Sequence, residues 1–293
     1  MEDFDDDRLK AIAEMRLAVR DRYIAMKFDL ETVLDIHANL FVQLSKNTFS
    51  DAEDTREESE SLSGHSFAAT LASAKADVIT VLKLLEPSFI APAWQYNLYL
   101  DGFVRELMWD DIKYDLPLEG RPSNIMRRLA YQVPAQSLLV AIKSGLDRFV
   151  ILLSYYYRGF SPNTTFGRIG LNGKSRGLMA YALERAGEDP LCKLLIDNYQ
   201  EWIKSVVEPR DLIIHYNDMT VRYVFDASLG LEVPILHGER LLLDKSSKDE
   251  TEDGKGWGPY ALQHACIKWH NMFAEVVKLL IDREPVFAES RIR

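Results

Sequence analysis

Arg210 and His215 stand five positions apart in the segment Glu208-Pro209-Arg210-Asp211-Leu212-Ile213-Ile214-His215. These residue types suit phosphoryl chemistry without a metal. A histidine, whose ordinary pKa is about 6.5, moves protons near neutral pH, and a guanidinium matches the oxygens of a phosphate in a two-pronged fashion. RNA brings its own nucleophile in the 2′-hydroxyl, so His215 as proton carrier and Arg210 as phosphate holder are the catalytic candidates. Asp211 joins them as the carboxylate that fixes the tautomer of His215.

Proline at the first helical position is favoured because its missing N–H would be unpaired there, so Pro209 is expected to start a helix through Tyr216. At about 100° per residue, Arg210 and His215 then lie about 140° apart around its axis. Asp211 and His215 form an i,i+4 pair. Read without chemistry, this is a helix whose carboxylate holds a partly exposed histidine. Read with chemistry, two copies related by a two-fold axis, as in a homodimer, could pool the splayed residues in one cleft.

The elements that position this segment are helical. Residues 5–46 carry apolar residues at three- and four-residue steps, including Val19, Tyr23, Val33, Leu34, His37, Phe41 and Leu44, and read as one long amphipathic helix or two joined ones. His37 falls on that stripe as an interior histidine. Asn47–Ser63 is polar and reads as a flexible linker. A helix over Ser66–Glu86 is expected to stop at Pro87 and Pro92, with another over Trp94–Trp109. Pro134–Tyr157 is the expected central helix, and Asp147 on it is a candidate support for the motif helix. Ser175–Arg185, Pro190–Val207 and Pro259–Ile281 complete the helices. The last is expected to turn Leu262, Cys266, Trp269, Phe273, Val276, Val277 and Leu280 inward. Thr220–Phe225 and Leu231–Leu236 alternate as strands and predict an antiparallel hairpin within 220–243, possessing an optional third run at Arg240–Leu243.

Charge is unevenly spread. The chain of 293 residues has a net charge of −10, yet residues 121–187 carry ten basic against two acidic residues, while residues 1–120 carry twelve against 24. A generally nucleic-acid-coating surface is excluded, but a local basic face is not. Arg158, Arg168, Lys174 and Arg176 are the RNA-binding candidates; paired with the acidic N-terminal part, the same residues would be structural. The organisation that follows is an acidic helical region over 1–120, with its linker near 47–63, and a second region over 121–293.

Several function classes fall away. Gly173-Lys174-Ser175 suggests a phosphate-cradling loop, but the pattern needs glycine where Arg168 stands and no strand precedes it. His264 and His270 have no carboxylate at metal-ligand spacing, so neither metal nor cofactor is expected. Cys192 and Cys266 read as buried free thiols. The acidic start and the absence of a long uncharged apolar run predict a cytoplasmic chain with no membrane partner.

The long apolar helix, the second helix, Arg210-Asp211-x-x-x-His215, the strand excursion and the final amphipathic helix together resemble the HEPN superfamily over roughly residues 122–286. The resemblance implies a mainly α, HEPN-like helical bundle with a small antiparallel β-hairpin insertion and an N-terminal helical extension. It further implies a dimeric endoribonuclease, a hydrolase leaving 2′,3′-cyclic phosphate ends, in toxin–antitoxin or antiviral defence settings and with a protein inhibitor or antitoxin as partner. The alternatives are a catalytically silent HEPN-like domain that binds RNA or nucleotide, and a helical scaffold or interaction protein. Some HEPN toxins are silenced at a tyrosine two positions after the histidine; here Tyr216 follows at once and Asn217 fills that place.

Overall fold

The computed structural model describes residues 3–54, 62–109, 123–157, 161, 163–170, 175–207, 220–226, 231–237, 257–283 and 285. It is mainly helical. The helices are α1 (Asp3–Ile24), α2 (Leu30–Asp54), α3 (Leu62–Leu107), α4 (Asn124–Leu153), α5 (Leu178–Arg185), α6 (Pro190–Asn198) and α7 (Pro259–Ile281), and strands β1 (Thr220–Asp226) and β2 (Leu231–His237) lie before α7. Among the described residues, no helix is long and apolar enough to cross a membrane.

The chain packs as two units. One takes α1, α3 from Pro92, α4 to Val140, both strands and α7 to Cys266; the other takes α2, α3 to Ala91, Ala141–Val207 and α7 from Ile267. Each unit draws helices from both sides of the boundary expected near residue 120.

The core of the first unit is aromatic. Tyr23 meets Phe103 edge-on at 5.1 Å, and Phe28 meets Tyr96 at 5.4 Å. Asn97 holds the Phe28 backbone at both ends, its Oδ1 accepting from the Phe28 N–H and its amide donating to the Phe28 carbonyl, each at 2.9 Å. That double bond ends α1 and turns the chain, so the first apolar stretch is two joined helices. Gly102 lets α3 and α4 approach closely, because a Cβ there would overlap the Ala130 carbonyl. β1 and β2 pair antiparallel from Thr220↔His237 to Asp226↔Leu231. Leu236 also bridges Trp257 through two backbone hydrogen bonds. The run at Arg240–Leu243 lies outside the described residues.

The second unit is built on apolar stripes. Val33, His37, Leu40 and Leu44 are the buried positions of α2, spaced at helical steps. Leu34, expected inward, is exposed, and Leu40 takes the inward place. α7 has the expected bounds, and all seven residues assigned to its inner side are buried across the two units. Within this unit Trp269 packs its indole where Gly145 of α4 has no side chain.

Five expectations about the elements need correction. Pro87 and Pro92 do not stop a helix: α3 runs through both. An interior proline costs about 3 kcal/mol. Between the two prolines, Trp269 Nε1 and His270 Nε2 donate to the Phe89 carbonyl at 3.3 and 3.0 Å and tie this stretch of α3 to α7. α4 begins ten residues before Pro134, where the Ser123 hydroxyl accepts from the Met126 N–H at 3.3 Å and caps it. α2 continues to Asp54, well into the expected linker, because Asn47–Asp54 is polar but holds no glycine or proline to break it; residues 55–61 lie outside the described residues. α5 starts at Leu178 rather than Ser175, since Arg176 is engaged in a β-bridge and Gly177 has φ of 67°. The helix expected over Pro190–Val207 contains a π turn at Tyr199–Ile203. Beside it Asn198 is buried and spent, donating to the Leu194 carbonyl at 2.9 Å and accepting from Trp202 Nε1 at 2.7 Å.

Candidate anion-binding site

Between α4 and α5 the chain folds back on itself in a closed loop. Arg168 and Arg176 exchange both backbone hydrogen bonds, at 3.2 and 3.0 Å, and form an antiparallel bridge. Two further bonds, from the Leu178 and Met179 N–H groups to the Thr165 and Phe166 carbonyls, extend the base of the loop into α5. Gly167 and Gly177 flank the bridge, both at positive φ of 79° and 67°. Only glycine adopts that backbone freely, and a Cβ on either would overlap a carbonyl across the loop.

The loop is anchored inward. Phe166 is fully buried, and its N–H donates to Asp147 Oδ1 of α4 at 2.9 Å. The same carboxylate oxygen accepts from Lys143 Nζ at 2.6 Å, one helical turn earlier. Asp147 therefore positions the loop through Phe166. Ser175, next to Arg176, keeps a buried hydroxyl oxygen that has no hydrogen-bond partner among the described residues. Outward, both arginines of the bridge are exposed. Residues opposed across an antiparallel pair project on the same side, so two guanidiniums share one face.

Of the four residues expected to contact RNA, the structure thus brings Arg168 and Arg176 together, whereas Arg158 and Lys174 lie outside the described residues. Arg210, Asp211 and His215 lie outside them too; the helix that precedes them is described to Val207. Sequence reasoning had not paired Arg168 with Arg176 or assigned Asp147 to the loop. A signal was present in the mirrored dipeptides Gly167-Arg168 and Arg176-Gly177.

Two other polar clusters are structural in what they do. Asp189 caps α6, accepting from Leu191 N–H at 2.8 Å, and is held in two prongs by Arg283 at 2.6 and 3.0 Å and by the Tyr157 hydroxyl at 2.9 Å. Burial alone would raise its pKa, but the hydrogen bonds from Arg283, Tyr157 and Leu191 outweigh it and hold the carboxyl at about 2. In the other unit, Glu106 accepts from the Tyr223 hydroxyl at 3.0 Å and faces Arg127 at 3.6 Å, while the Arg127 guanidinium lies 4.2 Å from the centre of the Trp109 ring. That cluster ties β1 to α3 and α4. Cys192 and Cys266 are free and buried, and burial pushes both thiols away from the reactive thiolate form. Among the described residues, no group of three or more His, Cys, Asp or Glu side chains is placed to hold a metal ion.

No family model, no curated protein and no solved structure matches the chain.

Proposed function

We propose that this chain is a metal-independent endoribonuclease. The observation that carries the reading is the Arg210-Asp211-x-x-x-His215 segment, with the exposed pair Arg168 and Arg176 as support for binding a phosphate backbone. In the proposed reaction the 2′-oxygen of a ribose attacks the adjacent phosphorus. The P–O2′ bond forms and the P–O5′ bond breaks, leaving a 2′,3′-cyclic phosphate and a 5′-hydroxyl. His215 takes the 2′-hydroxyl proton, and a proton is delivered to the departing 5′-oxygen, a service worth about 10²- to 10⁴-fold. Arg210 neutralises the charge growing on the phosphoryl oxygens. Asp211 orients the imidazole. Two copies of the chain would pool Arg210 and His215, and a protein inhibitor or antitoxin would be the controlling partner in a HEPN-like defence role.

A second reading is favoured by one specific observation: the two exposed arginines opposed across the bridge carry positive charge and nothing that moves a proton. On that reading the chain binds RNA or nucleotide without cutting it.

One experiment separates the two. Purified protein is incubated with labelled structured RNA in EDTA, beside Arg210→Ala and His215→Ala variants whose melting matches wild type. Cleavage with cyclic-phosphate ends, lost in both variants, is the expected result. Intact RNA across varied sequences, in the presence of folded wild-type protein, would overturn catalysis and leave the binding reading.

A further inference from the structure

We infer that the bridged pair Arg168 and Arg176 forms a phosphate-binding site in its own right, gripping one phosphate group without help from Arg210 or His215.

The argument begins with a cost. Directly opposed residues of a hydrogen-bonded antiparallel pair have Cα atoms about 5.5 Å apart, and like charges placed so repel. Among the described residues no acidic side chain pairs with either arginine. The bridge cannot spread to part the two backbones. Its base is closed by four backbone hydrogen bonds, its glycines lie back to back, and Phe166 is buried beneath it with its N–H on Asp147. An anion set between the guanidiniums turns the repulsion into two attractions.

Geometry then selects the anion. A guanidinium presents a planar fork of donors that matches two oxygens of a phosphate, and two forks on one face can satisfy a tetrahedral group from two sides. The first N–H groups of α5 are not available to share the work, because Leu178 and Met179 donate to Thr165 and Phe166. Recognition therefore rests on the two side chains. Because the backbone that carries them is already ordered, binding loses little to ordering of the loop.

The phosphate could be a diester of a nucleic-acid backbone or the phosphate of a free nucleotide, and one set of titrations on the full chain distinguishes them. The protein carries His215→Ala so that no RNA is consumed. Inorganic phosphate is titrated first by calorimetry. Then AMP and an oligouridylate lacking terminal phosphates are tested as competitors. The expected result is saturable phosphate binding that weakens about tenfold or more in Arg168→Ala and in Arg176→Ala. Arg→Lys variants should recover only part of it, since lysine keeps the charge and loses the fork. Competition by the oligouridylate assigns the site to a backbone diester, and competition by AMP alone assigns it to a nucleotide; both support the site. Unchanged phosphate affinity in the double alanine variant, or no saturable binding of any of the three probes, would overturn it. Should an alanine variant melt early, Arg168→Gln and Arg176→Gln serve in its place. Failure of the cleavage assay leaves these titrations unaffected, so the two ideas fall separately.

Discussion

Acid should weaken this fold through His270, by an amount that follows from where the ring sits. The imidazole lies 4.7 Å from the Phe89 ring centre and Nε2 donates to the Phe89 carbonyl at 3.0 Å, inside the stretch of α3 that carries two prolines. Burial lowers its pKa from the ordinary 6.5 to about 4, against the raising influence of that carbonyl. Above pH 6.5 neither the folded nor the unfolded state protonates the ring, and the contribution to stability is zero. Between pH 6.5 and 4 the unfolded chain takes up a proton that the folded chain refuses, so stability falls as pH falls. At 1.36 kcal/mol per pKa unit the loss reaches roughly 3 kcal/mol by pH 4. His37, which packs on Phe89 at 5.3 Å, is shifted in the same direction by burial, opposed by Glu86, and adds to the loss as pH falls below 6.5. The perturbation is His270→Gln, which keeps an N–H donor for the Phe89 carbonyl and cannot take up the proton. Urea unfolding followed by far-ultraviolet circular dichroism at pH 7.5 and 4.5 gives the comparison. The variant should start about 1 kcal/mol less stable, from the lost ring contact. It should then lose roughly 2 to 3 kcal/mol less than wild type on acidification. Equal losses in the two proteins would refute the assignment of the acid sensitivity to this ring.

Other outcomes follow from the same structure. Gly102→Ala forces a Cβ into the Ala130 carbonyl, and the strain of about 1–3 kcal/mol should exceed the gain of about 1 kcal/mol in helix propensity, lowering the melting temperature. Asp189→Asn removes the carboxylate that Arg283 holds in two prongs at a partly buried site, so destabilisation by roughly 1–3 kcal/mol is expected at pH 7. Because the folded pKa of Asp189 is depressed, its contribution is present above pH 3.8 and lost as pH falls toward 2, and the variant should lack that loss in an acid titration. Asn198→Leu leaves the buried Trp202 N–H without its acceptor and should cost about 1–3 kcal/mol in urea unfolding.

Much of the helical framework was legible because it is local. The inward residues of α7 recur at helical spacing, and Asp189-Pro190 announces a helix start through a capping carboxylate followed by a residue that needs no partner. The same kind of reasoning finds Arg210, Asp211 and His215 from residue type and spacing alone. It also finds the basic bias of residues 121–187, because charge is a property of composition.

What tertiary structure decided depends on partners distant in the chain. Pro87 and Pro92 look like helix breakers to any local rule, yet both lie within α3, where Trp269 and His270, about 180 residues away, donate to the Phe89 carbonyl between them. Arg168 and Arg176 became a pair only when Gly167 and Gly177 closed the loop over Phe166 and Asp147. Composition determines that positive charge is present in this part of the chain; backbone register determines that two arginine side chains leave the bridge on one face, since register is fixed by hydrogen bonds between residues that sequence order keeps apart.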